Sequence, residues 1–319
     1  MCEKGSKLYI GIDLGGTFIK GGAVDGCGNI LVSKKIPTEC EEGNMRVAEN
    51  ISRLIDLIVS ELGVEREAFV GVGIGSPGMI DSEGGCVVYS NNLGFHNFPL
   101  AREVERLSGF KTRIANDASV ACLGEARFGA AKGKKNAVML TLGTGVGGGI
   151  IINGTLYEGQ GSAGSELGHM TLVSGGEECK CGRRGCLERY ASATALVKRT
   201  RIAMSEHPDS KMWQIGGIEL ADGETAFKYY DSDPYAKAVV DEFVRYLADG
   251  ITSIANAFRP EVIIIGGGLS AEGERLLSPV REILNREIYG GKLGPAVELL
   301  KASLENRAGT LGAAALVME

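Results

Sequence analysis

Twice in this chain an apolar strand runs into a glycine turn and straight out into a second strand. The first copy is Lys7–Asp13, the turn Leu14-Gly-Gly-Thr17, then Phe18–Asp25. The second is Ala137–Leu142, the turn Gly143-Thr-Gly145, then Val146–Ile152. A hairpin tip of this kind exposes backbone N–H groups, a concavity suited to phosphate oxygens. Taken singly, either could be no more than a tight turn; as a matched pair they predict two related α/β lobes. Gly143-x-Gly145-x-x-Gly148 and Gly73-x-Gly75-x-x-Gly78 also fit the dinucleotide-binding spacing, which requires a helix next. Gly148 instead leads into Ile150-Ile-Ile, another strand, so a Rossmann reading is rejected; a Walker A sequence is absent.

The length, 319 residues, favours two domains. The expected lobes are 1–120 with about 302–319, and 121–301 with a polar insertion at 205–234 around Trp213. Net charge is -6 with no long basic run, which argues against nucleic acid as a partner. No stretch approaches a membrane span and the start lacks a signal-peptide core, so a cytoplasmic protein is expected. In that setting the eight cysteines suggest thiols and metal rather than a disulfide framework; Cys2, Cys27, Cys40, Cys86 and Cys122 read as plain thiols. Apolar spacing predicts a helix over 44–62 (Val47, Ile51, Leu54, Ile55, Ile58, Leu62) and another over 99–107. A long helix is expected over 235–258, ending before Pro260. Residues 69–75 and 261–265 read as strands entering glycine turns, and the segment from Thr310 as a helix packing back on the first lobe.

The densest chemistry lies in Glu166-Leu-Gly-His169 and Cys179-Lys-Cys181-Gly-Arg-Arg-Gly-Cys186-Leu-Glu188. Three thiols and an imidazole at this spacing are the ligands of a closed tetrahedral zinc site, with no position left for a reactive water; the plainer alternative is reduced thiols near a core histidine. Glu166 and Glu188 flank the cluster and could accept from sugar hydroxyls. His169 could bind zinc through one ring nitrogen and donate to a ligand through the other. Asp13, at a strand end, could hold Mg²⁺ directly or through water, with Thr17 and Lys20 as donors. Asn116-Asp117 stands between a short strand and a helix. It could cap that helix, supply a base for a hydroxyl nucleophile, or do both.

Together these motifs resemble the ROK family (repressor, open reading frame, kinase), and within it the bacterial glucokinases, over nearly the whole chain. Asp13-Leu-Gly-Gly-Thr17-Phe-Ile-Lys20 is similar to the family's first phosphate motif, with Gly15 and Gly16 in its turn. Leu140-Thr-Leu-Gly143-Thr144-Gly145 resembles the second, Gly266-Gly267-Gly268-Leu-Ser the adenosine-side turn, and Glu166-Leu-Gly-His169 the ExGH sugar motif. Tyr89-Ser-Asn-Asn92-Leu is similar to a Pro-Asn-Leu sugar loop, although Asn91 replaces the frequent proline and Phe95 a common tryptophan. Gly78 is a further sugar-loop candidate.

The resemblance implies a two-lobe, actin-like hexokinase (RNase H-like) fold with an interlobe active-site cleft. It implies ATP-dependent phosphorylation of a hexose, glucose first, at the 6-hydroxyl. Asp117 would be the base, with Asn116, Glu166, His169 and Glu188 on the sugar, MgATP as donor, structural Zn²⁺, and a dimer or tetramer. N-acetylglucosamine, N-acetylmannosamine, mannose or fructose are alternative acceptors, and ADP or polyphosphate alternative donors. A sugar-sensing repressor of the same family would carry a helix-turn-helix ahead of the first strand, for which Lys7 leaves no room. An actin-like assembly protein would have no use for the Glu/His/Cys/Glu constellation.

Overall fold

The computed structural model describes residues 7–318. In chain order the elements are β1 (Leu8–Leu14), β2 (Phe18–Asp25), β3 (Ile30–Pro37), α1 (Asn44–Leu62), β4 (Phe69–Ser76), β5 (Met79–Asp81), β6 (Cys86–Ser90) and β7 (Phe95–Phe98). There follow α2 (Leu100–Ser108), β8 (Thr112–Asn116), α3 (Asp117–Phe128), β9 (Ala137–Leu142), β10 (Val146–Ile152), β11 (Thr155–Leu156) and α4 (Glu188–Ala191). The chain closes with α5 (Ala193–Glu206), α6 (Thr225–Lys228), α7 (Pro234–Phe258), β12 (Val262–Gly266), α8 (Glu274–Glu287), β13 (Glu298–Lys301) and α9 (Ala308–Ala315).

These elements form two compact mixed α/β units. The first holds the chain up to Lys135, Gly149–Ser165, and Ser303 onward; the second holds Asn136–Gly148 and Glu166–Ala302. Residues 121–135 and 149–165 thus group with the first unit, whereas the sequence expectation set them in the second lobe. The reason for 121–135 is helix packing: α3 lies along α9, close enough that a methyl on Gly124 would meet the α9 backbone.

The first unit is built on a five-stranded sheet in the order β3-β2-β1-β4-β8. β1, β2 and β3 are antiparallel neighbours, while β1, β4 and β8 run parallel. α1 lies against the β2–β3 side and buries Val47, Ile51, Leu54, Ile55 and Ile58, the stripe its spacing predicts. It stops at Gly63, in the left-handed conformation (φ 67°) that suits glycine. α9 lies on β1 and β4 with almost no room between them: a methyl on Gly11 or Gly73 would strike the carbonyl oxygens of Thr310 and Ala313. A small antiparallel sheet, β5-β6-β7, completes this unit.

In the second unit β12 runs parallel between β9 and β13. α7 begins with Asp233 accepting from the N–H groups of Tyr235 and Ala236, Pro234 in its first turn. It ends at Arg259, which is left-handed (φ 42°) and directly precedes Pro260. The polar stretch 205–234 folds as short helical turns at Lys211–Ile215 and Ile218–Leu220 and as α6, with the Trp213 ring N–H donating to the carbonyls of Met204 (2.9 Å) and His207 (3.2 Å).

No helix among the described residues is long and apolar enough to cross a membrane. Cys40, Cys86 and Cys122 are thiols outside any disulfide, as expected. Cys27 corrects the plain-thiol reading: it is disulfide-bonded, a pairing that spacing alone gave no means of finding. Cys2 lies outside the described residues.

Candidate active site

In the first unit the chemistry gathers at the ends of parallel strands. β1 delivers Asp13, whose carboxylate stands 3.7 Å from the Lys20 ammonium. Partial burial pushes the Asp13 carboxyl up from its usual range, and Lys20 pulls against that rise. The glycine turn follows at once, Gly15 N–H closing it on the Phe18 carbonyl at 3.1 Å. Gly16 and Thr17 are exposed at its tip.

β8 ends at Asn116, and Asp117 is the first residue of α3. The geometry separates the two residues of this pair. Asn116 is the cap: its Oδ1 accepts from the N–H groups of Ala118 (2.9 Å) and Ser119 (3.3 Å). Its Nδ2 donates to the Gly78 carbonyl at 3.1 Å, which ties the helix start to the turn after β4. Gly78 there has φ 115°, a conformation closed to ordinary side chains. Asp117 is solvent-accessible as a residue, yet protein surrounds its carboxyl, and no cation is paired to it among the described residues. Desolvation by the surrounding protein raises its pKa, the Ala118 N–H at 2.9 Å opposes this, and the Asp13 charge adds to the rise. Asn92, exposed, lies next to the first turn, its backbone oxygen 3.8 Å from the place a methyl on Gly16 would take.

In the second unit the metal-type cluster assembles as the spacing requires. One ligand atom each from His169, Cys179, Cys181 and Cys186 lies within 4.8 Å of all the others. The His169 Nδ1–Cys179 Sγ and Cys181 Sγ–Cys186 Sγ distances are both 3.6 Å. Zinc–sulfur bonds of about 2.3 Å at tetrahedral angles place ligands about 3.8 Å apart, so these four fit a zinc ion. Nδ1 faces the cluster, which leaves Nε2 of His169 for a ligand. Burial pushes the Cys186 thiol up to about 12, while the Arg183 backbone N–H pulls Cys181 down; a cation would draw the thiolates out of such a site.

Glu188 opens α4 two residues past Cys186. Its Oε2 accepts the Val146 N–H at 3.2 Å, and it lies against Gly145, where any side chain would displace it. The structure therefore joins the carboxylate after the cysteine loop to the second glycine turn, a link with no signal in the sequence. Glu166 is exposed just before the turn Leu167–His169. Thr144 and Gly145 form the tip of the second turn, closed by Gly143 N–H on the Gly145 carbonyl at 3.0 Å. Gly267 and Gly268 follow β12, with Gly267 (φ 80°) pressed on the Leu142 backbone where a side chain has no space. Gly309, which no motif in the sequence marks, also matters here: its missing side chain makes room for the Asp13 carboxylate.

Comparison with known proteins matches the ROK family over residues 9–319. The glucokinase of Thermotoga maritima is 39% identical over 97% of this chain and 97% of its own length. The glucokinase of Halalkalibacterium halodurans is 36% identical over 98% of this chain and 96% of its own. Among solved structures, a ROK family glucokinase from Streptomyces griseus in complex with glucose and AMPPNP superposes with a TM-score of 0.81 at 34% identity, covering 97% of this chain and 98% of that one.

Proposed function

This chain belongs to the ROK family, and we propose that it is an ATP:hexose 6-phosphotransferase acting on glucose. The observation that carries the proposal is Asp117, a solvent-accessible residue at the head of α3, unpaired with any cation among the described residues and with a carboxyl raised in pKa by desolvation. Asn116 accepts from both the Ala118 and Ser119 N–H groups, while Asp117 shares only the Ala118 N–H, through Oδ1, and keeps Oδ2 for a reactant. Full-length likeness to glucokinases, one of them holding glucose and an ATP analogue, supports the choice of reaction and substrate.

In this reading the sugar is held by Asn116, Asp117, Glu166, His169 and Glu188, with Gly78 and Asn92 on the sugar loop. The triphosphate lies on Gly15, Gly16, Thr17 and Lys20 and on Thr144 and Gly145, with Gly267 and Gly268 on the adenosine side. The 6-hydroxyl oxygen bonds to the γ-phosphorus as the bond to the bridging oxygen breaks and ADP leaves. Asp117 orients the hydroxyl and takes its proton as the new bond forms. Backbone N–H groups of the two turns face the charge that builds on the phosphoryl oxygens. Mg²⁺, for which Asp13 is the carboxylate, would supply neutralisation of the phosphates. Zinc at His169, Cys179, Cys181 and Cys186 would hold the loop that carries His169 and Glu188, and four protein ligands leave it no catalytic water.

The test is ADP formation from MgATP with glucose, N-acetylglucosamine, N-acetylmannosamine, mannose and fructose in parallel. Glucose is expected to give the highest kcat/KM. A clear preference for an N-acetylated sugar would overturn the choice of glucose, and no hexose-dependent ADP from any of them would overturn the kinase reading.

A further inference from the structure

Behind each glycine turn stands a threonine, and we propose that Thr38 and Thr194 are positioning residues that aim the turns' N–H groups at nucleotide phosphates. The inference rests on the phosphate role given above to the turns.

At the first turn, three successive carbonyls are gripped from behind by one short segment. Thr38, fully buried, donates its hydroxyl to the Gly15 carbonyl at 2.7 Å and its backbone N–H to the Thr17 carbonyl at 3.0 Å. The Cys40 thiol reaches the Gly16 carbonyl at 3.5 Å. Thr38 is itself anchored. The buried Asn50 on α1 donates through Nδ2 to the Thr38 carbonyl at 3.2 Å and to the Glu39 carboxylate at 3.0 Å. That leaves Asn50 no freedom to let the segment drift.

The consequence follows from the peptide bond. In a trans peptide the carbonyl of one residue and the N–H of the next point in opposite directions, and no described peptide here is cis. Holding the Gly15 and Gly16 carbonyls inward turns the Gly16 and Thr17 N–H groups outward. Neither of those N–H groups has a hydrogen-bond partner among the described residues.

The second turn repeats the device with unrelated residues. The Thr194 hydroxyl, from the first turn of α5, donates to the Thr144 carbonyl at 2.7 Å, and the Ala193 N–H to the Gly143 carbonyl at 2.8 Å. By the same rule the Thr144 and Gly145 N–H groups face outward. Two turns of different sequence, braced in the same manner by chain segments distant from them, are hard to read as local packing. Preset N–H groups bind an anion without first reorganising, which is where the affinity comes from.

The test is titration calorimetry of Mg·AMPPNP, and separately of glucose, on wild type, Thr38→Val, Thr38→Ser, Thr194→Val and Thr194→Ser. Valine keeps the shape and removes the hydroxyl; serine keeps the hydroxyl. Each valine variant is expected to weaken AMPPNP about five- to tenfold, the scale of one neutral hydrogen bond. The serine variants should restore binding to within about twofold of wild type by the same reasoning, and glucose affinity should stay constant throughout. A merely structural role would lower the melting temperature and leave the AMPPNP affinity alone, and that result overturns the proposal. Thr194→Val, at the more exposed position, keeps the test decisive should the buried Thr38→Val fail to fold. If wild type binds no AMPPNP, the phosphate role of the turns falls too. If it binds AMPPNP but phosphorylates no hexose, the kinase reading fails while the brace is still measured.

Discussion

At the scale of single residues, the base proposed here, Asp117, stands at the start of a helix. Two neighbouring polar residues share one N-terminus: Asn116 accepts from the Ala118 and Ser119 N–H groups, and Asp117, which shares only the Ala118 N–H through Oδ1, keeps Oδ2 for other use. Its raised pKa has a consequence for pH. A base works only when deprotonated, so kcat/KM should climb with pH through a value above the ordinary carboxylate range. Asp13 lies close enough to add to the rise, so the acid limb belongs to the two carboxyls together. A pH–rate profile checks this: the limb should lie above that of an ordinary aspartate, and saturating Mg²⁺ should shift it down by neutralising Asp13. A limb at the usual carboxylate position, unmoved by Mg²⁺, would contradict the assignment.

At the scale of elements, the loop 166–188 has short turns and two isolated antiparallel bridges, Thr171 with Cys186 and Glu178 with Arg184, but no extended strand, so side chains that cross-link it would add to its order. The His169/Cys179/Cys181/Cys186 cluster is the candidate, and Glu188 is tethered to both the loop and the Val146 N–H. Replacing Cys181 with serine should release zinc and raise the sugar KM by about tenfold or more, the range seen when metal-site support is lost, with the KM for ATP changing less. Zinc content by mass spectrometry and sugar KM would be read on one preparation; full zinc with an unchanged KM would refute the role. Elements were legible where a physical punctuation mark stood in the sequence. α1 and α7 come within a residue of expectation because an apolar stripe runs between clear ends, Gly63 for one and Asp233-Pro234 and Pro260 for the other. The β5-β6-β7 sheet went unread because its strands are short and its glycine-rich turns mask any alternation.

At the scale of the whole molecule, the doubled hairpin foretold two α/β units and the motifs foretold the family, since both are written in contiguous residues. What stayed hidden depends on distant parts of the chain meeting. The grip of Thr38 on Gly15 spans 23 residues and that of Thr194 on Thr144 spans 50, and no window of sequence displays either. The same holds for Gly11 and Gly73, whose need for glycine arises only once α9 lies on the sheet, and for Gly309 beside Asp13. All three scales meet in one proposed step, in which Asp117 takes the proton of a hexose hydroxyl during phosphoryl transfer from ATP. Its most direct test is steady-state turnover of Asp117→Asn against wild type with glucose and MgATP, alongside glucose binding by calorimetry. The prediction is a fall in kcat of about a hundred- to ten-thousandfold, the worth of a general base, with glucose affinity within a few-fold. Wild-type turnover in the variant, or loss of glucose binding matching the loss of rate, would contradict it.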